Sequence, residues 1–334
     1  MPSSNRIATA FAALSLAFVP VAAQAYSALY VFGDSLSDVG NDFLVTGGAE
    51  PAPPYANGQF SNGPVWAQDL SHSLGLGTLK PSLAPGGTDY AFGGATTGYP
   101  ATATPASPIP TLITQLGLFA ANQGGIAPSA ALYAVWAGSN DLINIISNGV
   151  PSGTPTQAAQ GAAQTEAAAI GTLAAAGARD FLIPLISDLG KTPELSDLGS
   201  AASAAGTALA LIYNVALQQD LASLTAIPGT ALSYLDTFTL LDNTIADPAA
   251  FGLTNVTDPC YIGTYFGGGS VCANPDQYLF WDSLHPTAAD HAIIAAAAVN
   301  NVPEPGTITI LSAAVVGLLA ATRRRSRSDP YSTH

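Results

Sequence analysis

A chain of 334 residues with 8 Lys+Arg against 22 Asp+Glu carries a formal charge of −14, and is long enough for one large domain or two small ones. Within residues 26–301 only Lys80, Arg179 and Lys191 stand as cations against twenty acids, a net charge near −17. Such a surface repels phosphate backbones and anionic bilayers, which argues against nucleic acid as a partner.

Both ends read as addresses. Arg6 precedes an apolar run from Ile7 to Ala22, and Ala23-Gln24-Ala25 supplies a small-x-small cleavage pattern. Residues 1–25 therefore read as a secretory signal peptide, with the mature chain starting near Tyr26. Val302-Pro303-Glu304-Pro305 leads into an apolar stretch from Gly306 to Ala321, closed by Arg323, Arg324, Arg325 and Arg327. That stretch is short against the ~20 residues of a typical spanning helix, though the basic cluster suits a C-terminus kept on the cytoplasmic side. A plain C-terminal anchor is one reading. Residues 302–327 also resemble the PEP-CTERM sorting signal, with 328–334 as a tail. The resemblance implies export, transient membrane anchoring, and a cut near Pro-Glu-Pro by a protease of the exosortase type. It implies a final location at the cell surface or in the extracellular matrix of a Gram-negative bacterium.

In chain order, Ser27 to Phe32 is β-prone and apolar, and predicts a first strand that stops in Gly33-Asp34-Ser35. Gly47 to Pro64, rich in Gly, Pro and Asn, predicts a long loop. Val65 to Leu74 has helical spacing, Asp89 to Phe92 predicts a short strand ending at Gly93-Gly94, and Ile109 to Ala121 a helix. Ala130 to Trp136 predicts a buried strand that runs into Gly138-Ser139-Asn140-Asp141. Next come a helix over Thr156 to Ala176, a strand over Phe181 to Ile186, a helix over Ser200 to Leu224, a strand over Ala231 to Leu235 and a closing helix over Asp290 to Val299. Strands alternating with helices predict an α/β fold, a parallel doubly wound sheet with helices on both faces. Cys260 and Cys272 lie close together in a chain read as exported, and are expected to close a Gly-rich loop as a disulfide. Their neighbourhood offers too few ligands for zinc.

The candidate chemistry starts from the four histidines. His334 lies beyond the presumed cut, His72 reads as a surface or capping residue, and His291 sits in the closing helix, turned to packing or solvent. His285 remains, within Trp281-Asp282-Ser283-Leu284-His285-Pro286. Pro286 disfavours helix at His285, so a compact turn can bring Asp282 onto the ring nitrogen Nδ1 and leave Nε2 for a nucleophile. Ser35, at the carboxyl end of the first strand, is the candidate nucleophile; a helix cap is the other reading of Asp34 and Ser35. Asp282 could likewise cap the closing helix, and Asn140 could open an Asx turn. A nucleophile also needs oxyanion donors, and Gly93, Gly94 and Asn140 stand at two further strand ends.

Five collinear pieces resemble the GDSL family of SGNH hydrolases. They are Gly33-Asp34-Ser35-Leu36-Ser37-Asp38-Val39-Gly40-Asn41, Phe60-Ser61-Asn62-Gly63-Pro64-Val65-Trp66, Asp89-Tyr90-Ala91-Phe92-Gly93-Gly94-Ala95, Val135-Trp136-Ala137-Gly138-Ser139-Asn140-Asp141, and the run from Trp281 to Pro286. The resemblance spans nearly all of residues 26–301. It implies a flavodoxin-like three-layer α/β/α sandwich with a parallel central sheet. By the same resemblance Ser35 is the nucleophile, His285 the base and then the acid, and Asp282 its orienting partner. The oxyanion hole would be the Ser35 amide, the amide of Gly94 or Gly93, and the Asn140 side chain. The family often has Asn at the position of Asp89 and Ala or Gly at that of Ser139. The G-x-S-x-G elbow of the other large lipase fold is absent. The resemblance thus implies a carboxylic ester hydrolase that needs no cofactor or metal. Its substrate would be a lipid, short-chain or acetylated-polysaccharide ester. A non-catalytic surface or matrix protein on the same fold is the competing reading.

Overall fold

The computed structural model describes residues 26–102 and 108–302. The signal-peptide reading of 1–25 and, from Pro303 on, the sorting-signal and tail readings lie outside the described residues. In chain order the elements are β1 Leu29–Gly33, α1 Asn41–Val45, α2 Trp66–Ser73, α3 Leu112–Gln123, β2 Leu132–Trp136, α4 Ser139–Asn148, α5 Pro155–Ala176 and β3 Asp180–Pro184. They continue with α6 Pro193–Asp197, α7 Ser200–Leu221, β4 Ala231–Leu235, α8 Thr237–Ala246, β5 Asn255–Pro259, β6 Tyr261–Thr264, β7 Gly267–Val271, β8 Tyr278–Phe280 and α9 Ala288–Asn301.

Strands β1 to β4 form a parallel sheet in the order β1-β2-β3-β4, with Leu29 opposite Leu132 and Gly33 opposite Trp136. Side chains alternate across it, as the strand repeat requires. Tyr30, Phe32, Tyr133, Val135 and Phe181 pack under α3, α4, α5 and α7. Leu29, Val31, Leu132, Ala134 and Leu182 pack under α2 and α9. The fold is therefore α/β in three layers, helices on either face of a sheet buried on both sides. Continuous apolar runs in β1 and β2, without polar alternation, are the sequence trace of that double burial, while β4 with Ser233 is half-buried over most of its length.

The expected strand over Asp89–Phe92 is not one. Only Asp89 makes a bridge, to Val31 and to Pro81. The segment runs along the free edge of β1 through Tyr90 N to Val31 O at 2.7 Å and Phe92 N to Gly33 O at 3.3 Å. It does not extend into a ladder because the next bond would come from the Gly33 amide, which the Gln115 side chain takes at 3.0 Å. The Asp89 carboxylate accepts from the amides of Ala91 (3.1 Å) and, in the loop after β1, Val39 (2.8 Å). With this segment beside β1, the parallel arrangement has the flavodoxin-like order.

The longest helices begin and end where the sequence provides for it. Thr154 and Gln157 exchange bonds in a capping box ahead of Pro155, and Gly177 stops α5. The alanines of α5 let α7 approach closely. α7 with its continuation to Ala226 is long and apolar enough by composition to cross a membrane. Its face of Leu209, Ala210, Tyr213, Leu217 and Leu221 is nonetheless buried in the core, and Tyr213 donates to buried Glu166 at 2.6 Å. That is the pattern of a core helix.

Outside the sheet, β5 pairs with β8, and β6 with β7 forms an antiparallel hairpin whose base is joined by the Cys260–Cys272 disulfide. The hairpin packs Tyr261 on Trp281 and on Tyr55 from the long 47–64 loop. This small aromatic cluster forms the wall behind the Asp282–His285 turn.

Candidate active site

The site lies at the carboxyl ends of the sheet strands. β1 ends in Gly33 at φ +152, where an added Cβ would sit 2.2 Å from the carbonyl oxygen of Trp136. Only glycine fits there. Gln115 on α3 holds the same residue through both of its backbone groups, at 3.0 and 2.7 Å. Asp34 then closes a turn by accepting from the Leu36 amide at 3.0 Å, and α1 starts only at Asn41. Asp34 and Ser35 therefore cap no helix, and Ser35 projects from the turn.

Ser35 Oγ lies 2.7 Å from Nε2 of His285, 250 positions later in the chain. His285 Nδ1 faces the carboxylate of Asp282, at 2.8 Å from Oδ2 and 3.0 Å from Oδ1. The turn is closed by the carboxylate itself, since Oδ1 also accepts from the amides of Leu284 (2.8 Å) and His285 (2.7 Å). Asp282 does not cap α9; Thr287 does. All three side chains are buried. An acceptor carboxylate at Nδ1 fixes the tautomer that leaves Nε2 able to take a proton from the serine hydroxyl.

The remaining sequence candidates separate here. Gly93 donates its amide to Asp38 at 3.1 Å, and a Cβ on it would meet Phe60 at 2.3 Å. Gly94 is exposed, at φ +71, and its amide and that of Ser35 meet no acceptor among the described residues. Asn140 on the first turn of α4 points its side-chain amide at Ala95 O (3.0 Å) and, at a long 3.4 Å, at Asp34 Oδ2. His72 is exposed, while His291 is buried and accepts from the Trp66 amide at 3.3 Å.

Nothing in the sequence marks Tyr55 or Glu194 as part of the site, and Phe60 stands in a family-like piece without a role. Tyr55 donates to Asp282 Oδ2 at 2.6 Å, Phe60 lies with its ring 5.3 Å from the His285 ring, and Glu194 accepts from Ser283 at 3.4 Å. The 47–64 loop, read as irregular because of its Gly and Pro content, carries the first two. No local signal in it marks a partner so far along the chain.

The sequence profile of GDSL-like lipase/acylhydrolases matches residues 29–298. The chain belongs to this GDSL family. It is a family of hydrolases acting on esters. A GDSL esterase/lipase of Arabidopsis thaliana is 29% identical over 88% of this chain and 95% of its own length. Esterase EstA of Pseudomonas aeruginosa is 31% identical over 94% of this chain, which spans about half, 53%, of that relative. Among solved structures, LAE5, an alpha/beta hydrolase from the metagenome of Lake Arreo, matches with a TM-score of 0.46 at 14% identity, covering 82% of this chain and 94% of its own.

In this GDSL hydrolase the electrostatics favour a charged pair at the turn. Burial works to lower the His285 pKa, but the charge and hydrogen bond of Asp282, with Asp34 and Glu194 further off, raise it above its ordinary value. Burial works to raise that of Asp282, and the imidazolium, the Tyr55 hydroxyl and the His285 amide lower it. Burial and the Asp282 charge hold the Tyr55 phenol well above its usual range, so it remains a donor. Burial pushes Asp34 up to about 7.

Ser35 and His285 open onto a cleft of about 690 Å³, counting its mouth. It runs from Asn140 and Ser139 past the ends of β3 and β4 to Leu241, Leu279 and Ile294. Most of its lining is apolar.

Proposed function

We propose that this chain is an exported serine ester hydrolase that cleaves carboxylic esters through an acyl-enzyme on Ser35. The observation that carries the reading is the unbroken hydrogen-bonded line from Ser35 Oγ through His285 to Asp282, at 2.7 and 2.8 Å, at the head of an apolar cleft. His285 Nε2 takes the serine proton as Oγ attacks the ester carbonyl, and Asp282 at Nδ1 stabilises the imidazolium. The oxyanion that forms is met by the amides of Ser35 and Gly94 and by the Asn140 side chain, which Ala95 O holds in orientation. Gly93 is not among these donors, because its amide serves Asp38. The imidazolium then protonates the departing alcohol, and water activated by the same nitrogen releases the acid.

Export to the cell surface or extracellular matrix, by way of a signal peptide and a tail cut by an exosortase-type protease, is supported by the sequence at the two ends. A fluorophosphonate probe tests the chemistry against the reading as a non-catalytic surface protein. Folded protein is expected to label at Ser35 and to hydrolyse nitrophenyl esters, and Ser35→Ala to do neither. Failure of folded wild type to label would leave the non-catalytic reading standing.

A further inference from the structure

The cleft holds one group that the acyl transfer does not use. Asp290, in the first turn of α9, lines it together with Leu241, Leu279, Phe280 and Ile294. The residue is 6% exposed, and its carboxyl oxygens meet no hydrogen-bond donor among the described residues; its backbone amide is bonded to the capping Thr287. A carboxyl group buried among aliphatic side chains without a partner is costly, which is why buried polar groups are nearly always paired. Every other acid lining the cleft is accounted for: Asp34 accepts from Leu36 and faces Asn140.

We propose that the cleft takes an acyl chain bearing a hydroxyl group, and that Asp290 recognises that hydroxyl. The inference rests on Ser35 being the nucleophile, since the acyl part is the one that stays bonded while the alcohol departs. The far wall, formed by buried Leu279 and Ile294, suits a part of the substrate that need not leave first. Burial pushes Asp290 up to about 7, so near neutrality it exists both as a carboxylic acid that can donate and as a carboxylate that can accept. A hydroxyl can serve either form. The reaction is unchanged by it: water adds across the acyl C–O bond and gives a hydroxy acid and the alcohol. A plain alkyl chain would press against the carboxyl and leave it unpaired, and sites built around a hydrogen bond discriminate strongly against analogues lacking the partner.

The test compares the nitrophenyl ester of an unsubstituted medium-chain acid with its hydroxy isomers, the hydroxyl moved along the chain. Wild type is expected to turn over at least one isomer with kcat/KM roughly tenfold above that of the unsubstituted ester. Asp290→Leu is expected to reverse the preference and Asp290→Asn to keep it, since an amide also donates and accepts; Asp290→Ala replaces the leucine variant if that one does not fold. A wild type that prefers the unsubstituted ester over every isomer overturns the proposal, as does a preference that survives in Asp290→Leu. Loss of all ester turnover together with absence of Ser35 labelling would instead strike at the hydrolase reading itself.

Discussion

The hydroxyl of Tyr55 donates to Oδ2 of Asp282 at 2.6 Å across 227 positions of chain. It bonds the same oxygen that faces His285 Nδ1 at 2.8 Å, and so neutralises part of the charge that holds the imidazolium. Without it, Asp282 acts on His285 with less of its charge balanced. Tyr55→Phe is therefore expected to move the acid limb of the kcat profile to higher pH and to lower kcat about two- to tenfold, with KM little altered. An unmoved pH profile would reduce Tyr55 to a packing residue.

Glycines 93 and 94 are adjacent but differ in what they supply. A methyl on Gly93 would strike Phe60 at 2.3 Å and Asp42 at 2.4 Å, and Phe60 lies against the His285 ring. A methyl on Gly94 would meet the Ile109 side chain at 3.0 Å, and the residue's φ of +71 costs a non-glycine of order 1 kcal/mol. Gly93→Ala is thus expected to lower the melting temperature sharply. Gly94→Ala is expected to fold and to lose kcat. Asn140→Ala should lose roughly 10²–10³ in kcat with KM kept, the cost of one oxyanion donor elsewhere. Thermal melts beside steady-state kinetics decide all three, and a Gly93→Ala protein of native stability would undo the separation.

What could be read from the sequence was what lies close along the chain. Asp282 and His285 sit three apart before a proline, and Ser35 comes after a β-prone run, so both halves of the line were visible before their meeting was. The bounds of β4 and of the ends of α5 are set by turn residues and caps within a few positions. Tyr55, Gln115 and Asp290 were invisible for the opposite reason. A buried side chain's worth depends on a partner tens to hundreds of residues away, and neither Tyr in a Pro-rich loop nor Asp in a helix's first turn is unusual by itself. Asp89–Phe92 failed as a strand because the Gln115 side chain takes the Gly33 amide that the next ladder bond would use.

Activity and stability should part company with pH. Burial raises Asp34 and Asp290 to about 7 and Asp42 to about 8, the last helped by the charges of Asp38 and Glu50. An acid raised in the folded state binds protons more tightly there than in the unfolded chain, so the stability it contributes is present below the ordinary carboxylate pKa and is lost as pH rises through the folded value. His285, also raised, must be unprotonated to act as base. The melting temperature is expected to fall between about pH 5 and pH 8 while kcat/KM climbs, and Asp42→Asn to flatten the fall. A melting temperature that rises over this window would contradict the assignment of these acids as raised.

The disulfide hairpin braces the site through aromatic contacts and through backbone bonds from Ala52 N to Tyr265 O (2.7 Å) and from Tyr261 N to Trp281 O (2.6 Å). Cys260 and Cys272 close β6 onto β7, and Tyr265, between those strands, has its ring 5.7 Å from Tyr55 and 6.0 Å from His285. A cross-link over so short a loop contributes about 3 kcal/mol on the loop-entropy account, or roughly 6–10 °C in a domain of this size. If its only effect were on global stability, the paired Cys260→Ser and Cys272→Ser variant would label Ser35 at the wild-type rate well below its melting point. Because Tyr55 is wedged between the hairpin and Asp282, loosening the hairpin should also release the carboxylate. The variant is therefore expected to label more slowly at low temperature, and adding Tyr55→Phe should slow it little further. Additive losses in the double-mutant cycle would mean that hairpin and hydroxyl act independently.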